Sequence, residues 1–168
     1  MNSFEFQFAT KMIFGKDKEL CVGEEIKALG GTRVLMAYGG NSIKRSGLYD
    51  RVIKALDEAG LMVWELPGVV PNPRVSLVRK GIEICREEKI DFLLAVGGGS
   101  VIDTCKSISF GVFYEGDVWD LITGKSQPGT KRIPVGDILT IPAAGSDGSD
   151  SCVISGVTIS VKAGFGSP

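Results

Sequence analysis

With 168 residues, 43% hydrophobic and 23% charged, the chain has the balance of one globular domain with a sizeable core. A net charge of −1 argues against nucleic acid or an anionic membrane surface as partner, and no apolar stretch is long enough to span a bilayer. The absence of histidine excludes a Ser-His-Asp hydrolase, a histidine-ligated zinc site and any histidine general base within this polypeptide.

Taken in chain order, Phe4, Phe6 and Phe8 alternate, which predicts an extended segment. Such a strand serves either in the core or as a pairing edge for a second chain. Residues 24–29 form a short helix closed by Gly30-Gly31, and residues 32–38 an apolar strand running into Gly39-Gly40-Asn41-Ser42. Leu48, Val52, Ala55 and Leu56 repeat at helical spacing until Gly60, and residues 61–66 return as a strand. The loop 68–73 is stiffened by Pro71 and Pro73, and Val75, Val78, Ile82 and Cys85 mark one face of the next helix. Residues 91–96 form a strand, 100–110 a helix, 116–121 one short turn, 123–131 a polar loop, and 137–141 a further strand broken by Pro142. Residues 152–161 alternate weakly, as a hairpin or edge strand would, and 152–168 reads as the tail of the domain.

The most informative stretch joins that third strand to its helix. Gly97, Gly98 and Gly99 follow Val96, and Ser100 stands at the expected N-cap. Glycines there admit backbone angles closed to other residues and let an anion approach the main chain, where free N–H groups and the helix dipole favour negative charge. Ser100 and Asp103 also fit a plain capping box that needs no ligand. The stretch is not the G-x-G-x-x-G fingerprint, since Ile102 stands where the third glycine belongs, nor a P-loop.

Alternating strands and helices imply an α/β fold, a Rossmann-like, mostly parallel sheet with helices on both faces. Ligands of such sheets bind beyond the carboxyl ends of the strands. Three loops built of small residues, 39–42, 97–100 and 140–146, fall there and predict a nucleotide crevice. Cys21, Cys85, Cys105 and Cys152 form no Cys-x-x-Cys pair and read as free thiols of a reducing compartment. With no signal peptide legible, the cytoplasm is expected.

Six segments together resemble the iron-dependent alcohol dehydrogenase family, in its butanol-dehydrogenase-like branch. They are Phe8-Ala-Thr-Lys-Met-Ile-Phe-Gly15, Tyr38-Gly-Gly-Asn-Ser-Ile-Lys-Arg-Ser-Gly47, Gly68-Val-Val-Pro-Asn-Pro-Arg74, Val96-Gly-Gly-Gly-Ser-Val-Ile-Asp103 with Lys106, Tyr114-Glu-Gly-Asp-Val-Trp-Asp120 and Ile138-Leu-Thr-Ile-Pro-Ala-Ala-Gly-Ser146. The resemblance implies a dehydroquinate-synthase-like N-terminal domain that binds a nicotinamide dinucleotide. It also implies a helical second domain, absent here, carrying Fe²⁺ or Zn²⁺ in the full-length enzyme. Residues 1–168 then form a single nucleotide-binding domain, inactive alone, of an enzyme interconverting small primary alcohols and aldehydes. The alternative is a non-catalytic nucleotide-binding module or pseudo-enzyme remnant. Asp147-Gly148-Ser149-Asp150 departs from the family pattern, which has Glu after the serine.

By that resemblance Gly97, Gly98, Gly99 and Ser100 hold the pyrophosphate. Asp103 lies near the nicotinamide end or is a plain helix charge, and Lys106 is solvated or paired with Asp103. Gly39, Gly40 and Ser42 match contacts to the adenosine end, Asn72 a position near the adenine pocket, and Thr140 and Ser146 residues lining the adenine and phosphate region. Asn41 offers no carboxylate to repel a 2′-phosphate, and Lys44 and Arg45 follow it, so NADP is favoured over NAD. A homodimer through the N-terminal strand is a further expectation.

Overall fold

The computed structural model describes residues 10–142, 145, 146, 148, 152–156 and 162–165, the last four by their backbone alone. A 3-10 turn, Lys18–Cys21, leads into α1 (Val22–Ala28) and β1 (Arg33–Tyr38). There follow α2 (Ser42–Arg45), α3 (Leu48–Glu58), β2 (Met62–Leu66), α4 (Val75–Glu87) and β3 (Phe92–Gly97). The chain continues through α5 (Gly99–Gly111), α6 (Val118–Ile122), β4 (Val135–Leu139), β5 (Cys152–Ser155) and β6 (Lys162–Phe165).

β1 to β4 form one four-stranded sheet in the order β2-β1-β3-β4. Every pair is parallel, with Leu35 opposite Trp64 and Leu93, and Ala95 opposite Asp137. The central strand β3 is buried along its whole length, as a near-continuous apolar run with helices on both faces requires. One face packs Leu35, Leu66, Leu93 and Ala95 against Val78, Ile82, Cys105 and Ile108 of α4 and α5. The other packs Val34, Met36, Leu94 and Val96 against Ile26, Val52 and Leu56 of α1 and α3. The helices flip face where the chain crosses from β2 to β3, so a crevice opens between the carboxyl ends of β1 and β3.

Space, more than backbone angle, sets several glycines. A Cβ on Gly81 would meet Ile108 at 2.3 Å, and one on Gly111 would meet Ile82 at 2.4 Å. Both let α4 and α5 approach closely. Burial pushes the Cys85 thiol up to about 12, so it is an inert packing group, and all four cysteines are free.

The α/β architecture agrees with the sequence reading; several details differ. The Phe alternation lies on residues outside those described, and residues 10–14 form no strand. The fourth strand sits two residues earlier than its apolar run suggests, at Val135–Leu139, which leaves Ile141 65% exposed. α2 went unread, being only four residues long. The weakly alternating tail forms an antiparallel ribbon, β5 with β6, separate from the main sheet.

Candidate functional site

The small-residue loops do share the carboxyl edge of the sheet. β3 ends at Gly97 and α5 begins at Gly99, with Gly98 as its extended N-cap and no side chain capping it. The N-cap is therefore Gly98 rather than Ser100, whose carbonyl instead accepts from the Thr104 hydroxyl at 2.8 Å. None of Gly97, Gly98 and Gly99 adopts a positive φ, and Gly98 sits at φ −97°, open to any residue. What these glycines supply is room. A Cβ on Gly97 would strike Val101 at 2.5 Å, and one on Gly99 would meet the Ser146 hydroxyl at 3.2 Å. A Cβ on Gly98 would meet nothing nearer than Ile141 at 3.9 Å.

The Gly98 carbonyl accepts from the N–H groups of Val101 and Ile102, at 2.9 and 3.3 Å. The N–H groups of Gly99 and Ser100 have no acceptor among the described residues, as expected of a first helical turn. Open space at Gly98 and two unused donors on a 13-residue helix fit the pyrophosphate of a dinucleotide. Thr140 is held beside them, its N–H donating to the Gly97 carbonyl at 2.9 Å.

Asp103 and Lys106 lie further along α5. Asp103 is buried rather than a solvated helix charge. One carboxyl oxygen accepts from the Val153 N–H of β5 at 3.2 Å, and the other is buried with no hydrogen-bond partner among the described residues. Burial raises its pKa, against the opposing pull of the Val153 N–H, Lys106 and the Ser146 hydroxyl. Lys106 is half-buried and donates through Nζ to the Ser146 carbonyl. Together they tie the loop after β4 and the β5 strand onto α5.

On the other side of the crevice, the loop after β1 meets the loop after β2. Gly68 N–H donates to the Gly39 carbonyl and Val69 N–H to the Tyr38 carbonyl, both at 3.1 Å. A Cβ on Gly39 would press on the Val69 carbonyl at 3.2 Å, while Gly40 faces open space. Asn41 and Ser42 are exposed at the start of α2. Asn72 adopts a left-handed φ of 57° and, with Pro71, Arg74, Ser155 and Gly156, lines a cavity of about 320 Å³. The structure thus brings Gly97, Gly98, Gly99, Thr140 and Ser146 together, and separately joins Gly39 to the segment carrying Asn72. Arg74 and Ser155 were missed, since only the β5 return, with Ser155 N–H donating to the Pro73 carbonyl at 2.8 Å, reveals them.

Among the described residues no three His, Cys, Asp or Glu side chains cluster as a metal would need. The described residues on their own therefore do not fit an iron or zinc centre.

These features define a parallel α/β domain with glycine-lined loops at its carboxyl edge, and comparison gives it a family. Residues 9–168 match the family model described as iron-containing alcohol dehydrogenase, and the chain belongs to that family. It is 52% identical over its whole length to a probable NADH-dependent butanol dehydrogenase 1 of Bacillus subtilis, of which it spans 43%. It is 37% identical, over 98% of its length, to the NADPH-dependent aldehyde reductase YqhD of Escherichia coli, of which it spans 42%. The crystal structure of an NADH-dependent butanol dehydrogenase A from Thermotoga maritima superposes with a TM-score of 0.93 at 42% identity, covering 99% of this chain and 42% of that one. The chain therefore spans well under half the length of these relatives and matches their N-terminal domain. No helix among the described residues is long and apolar enough to cross a membrane.

Proposed function

We propose that this chain is the cofactor-binding part of a metal-dependent alcohol dehydrogenase that interconverts small primary alcohols and aldehydes. The observation that carries the reading is the open space over Gly98 beside the unused N–H groups of Gly99 and Ser100. These donors bind the pyrophosphate, aided by the positive end of α5. Thr140 and Ser146 close the far wall, Gly39, Gly40, Asn41, Ser42 and Asn72 take the adenosine end, and Asp103 takes the nicotinamide end. When bound, the nicotinamide supplies hydride transfer.

Asp103 is buried, and its Oδ1, without a hydrogen-bond partner among the described residues, can accept from a bound ligand. Lys106 fixes Ser146 against the glycine turn and so keeps the cradle's width constant. With no histidine to ligate or shuttle protons, the chain alone is proposed to be inactive, because nothing in it stabilises an alkoxide. The same reading includes a cytoplasmic setting and contact with a second copy through the N-terminal segment.

The relatives' names include both NADH- and NADPH-dependent enzymes. The residues favour NADP. Asn41 is neutral and exposed, and Lys44 and Arg45 follow on α2. Glu65, near the end of the neighbouring β2, has both carboxylate oxygens engaged by the hydroxyls of Tyr38 and Tyr49.

Calorimetric titration with NADP of the native chain and of Gly98→Val tests the reading. A bulky β-branched side chain must fill the cradle, so affinity should fall at least a hundredfold, about 2.7 kcal/mol. Equal binding by both proteins would reduce the glycine turn to a helix cap.

A further inference from the structure

Four side chains at the β1–β2 edge of the crevice form an arrangement that the pyrophosphate cradle does not use. Tyr38, the last residue of β1, is 3% exposed, and its hydroxyl donates to Glu65 Oε2. The Tyr49 hydroxyl, from the first turn of α3, donates to Glu65 Oε1 at 2.8 Å. The two rings meet edge to face, with centroids 5.8 Å apart. Lys44 Nζ lies 4.7 Å from the centre of the Tyr49 ring and 5.5 Å from that of Tyr38.

Each contact has a consequence for charge. Both phenols are held above their ordinary pKa, Tyr38 by burial and then Glu65, Tyr49 by the Glu65 hydrogen bond and then burial. They stay protonated and keep donating at neutral pH. Glu65 accepts from both, which fixes its orientation between the two rings. The ammonium, seated over two electron-rich faces, loses rotamer freedom before any ligand arrives. Lys44 also stands three residues beyond Asn41, the spacing that brings side chains to one side of a helical turn. A group resting beside Asn41 is within reach of Lys44.

We propose that Lys44, pre-oriented by the Tyr38–Tyr49 platform, is the residue that selects the 2′-phosphomonoester of the dinucleotide. The inference rests on the NADP reading above and goes further, assigning the discrimination to one cation and its aromatic seat. Asn41 permits the phosphate by lacking charge. Lys44 attracts it, and the tyrosine clamp holds Glu65 in a fixed place. A phosphate dianion meeting a preplaced ammonium gains a charge-assisted hydrogen bond at little ordering cost.

The test uses adenosine 2′,5′-bisphosphate and adenosine 5′-monophosphate, which differ by that phosphate alone. Calorimetry compares the 168-residue chain with its Lys44→Gln, Lys44→Arg and Tyr49→Leu variants. The native chain should prefer the bisphosphate. Lys44→Gln should lower bisphosphate affinity about five- to tenfold and leave the monophosphate unchanged, as a partly exposed charge-assisted contact allows. Lys44→Arg should keep most of the preference, and Tyr49→Leu should lose part of it. A native preference untouched by Lys44→Gln overturns the assignment and leaves the NADP reading standing. A native chain indifferent to the 2′-phosphate overturns the NADP reading itself, and one that binds neither nucleotide overturns both.

Discussion

The two edges of the parallel sheet are built by opposite means. At the amino edge, side chains tie the strands together. The Asp91 carboxylate accepts from the Thr32 N–H at 2.9 Å, the Arg33 N–H at 2.8 Å and the Thr32 hydroxyl, joining the starts of β1 and β3. Arg33 stacks 4.5 Å above the Trp64 ring of β2 and donates to the Glu88 carbonyl at 2.6 Å. At the carboxyl ends of β1 and β3 the loops that follow remove side chains instead. Gly39, Gly40, Gly97, Gly98 and Gly99 leave backbone and space. On the proposed function one edge serves stability and the other a ligand, so mutations at the two edges should have separable effects.

The sharpest break of that comparison lies within the glycine turn itself. Gly98→Val should abolish measurable dinucleotide binding while leaving the melting temperature within a few degrees, because its Cβ enters open space. Gly97→Val should do the reverse first, since its Cβ would lie 2.5 Å from Val101 and overpacking costs about 1–3 kcal/mol. Thermal melts read alongside titrations distinguish the two. Loss of stability at Gly98 comparable with that at Gly97 would erase the distinction between cradle and core.

Asp91→Asn should lower stability by about 1–2 kcal/mol and leave cofactor affinity alone. Burial alone would raise this carboxyl's pKa, but the hydrogen bonds from Thr32 and Arg33 outweigh it and hold it below its ordinary value. A carboxyl depressed on folding stabilises the native state above its unfolded pKa, about 3.9, and the contribution fades as pH falls through the folded value. The gap between wild type and Asp91→Asn should therefore be full at pH 7 and shrink below about pH 4. Urea denaturation at pH 7 and at pH 3 checks this. A gap independent of pH would mean the carboxylate charge plays no part.

The smallest effect concerns discrimination. Asn41→Asp should shift preference from NADP toward NAD by about tenfold or less, the worth of one charge repulsion in an exposed site. An unchanged ratio of dissociation constants would move residue 41 away from the 2′ position.

Much of this was legible in the chain. Val52, Ala55 and Leu56 at helical spacing are the buried face of α3, and Val78, Ile82 and Cys85 that of α4. The glycine turn and its place at a strand end followed from composition and periodicity. What escaped is long-range or depends on competing local signals. Ser100 reads as an N-cap, yet the cap falls two residues sooner, at the extended Gly98, with no side chain capping it. The run 137–141 reads as a strand, yet among the described residues β4 pairs with β3 alone, in a register that sets Leu93 opposite Val135. The Tyr38–Glu65–Tyr49 clamp joins residues far apart in sequence and exists only once β1 and β2 are in register. Asp103 looks like a surface helix charge until β5 covers it.

The central claim is that backbone at the start of α5, not a side chain, holds the cofactor's pyrophosphate. Amide chemical shifts of ¹⁵N-labelled chain titrated with NADPH test it directly. The account predicts saturable shifts largest at Gly98, Gly99 and Ser100, accompanied by Thr140 and Ser146, with the amides of Thr32 and Asp91 at the opposite edge unmoved. Saturable binding that leaves Gly98, Gly99 and Ser100 unperturbed would contradict it.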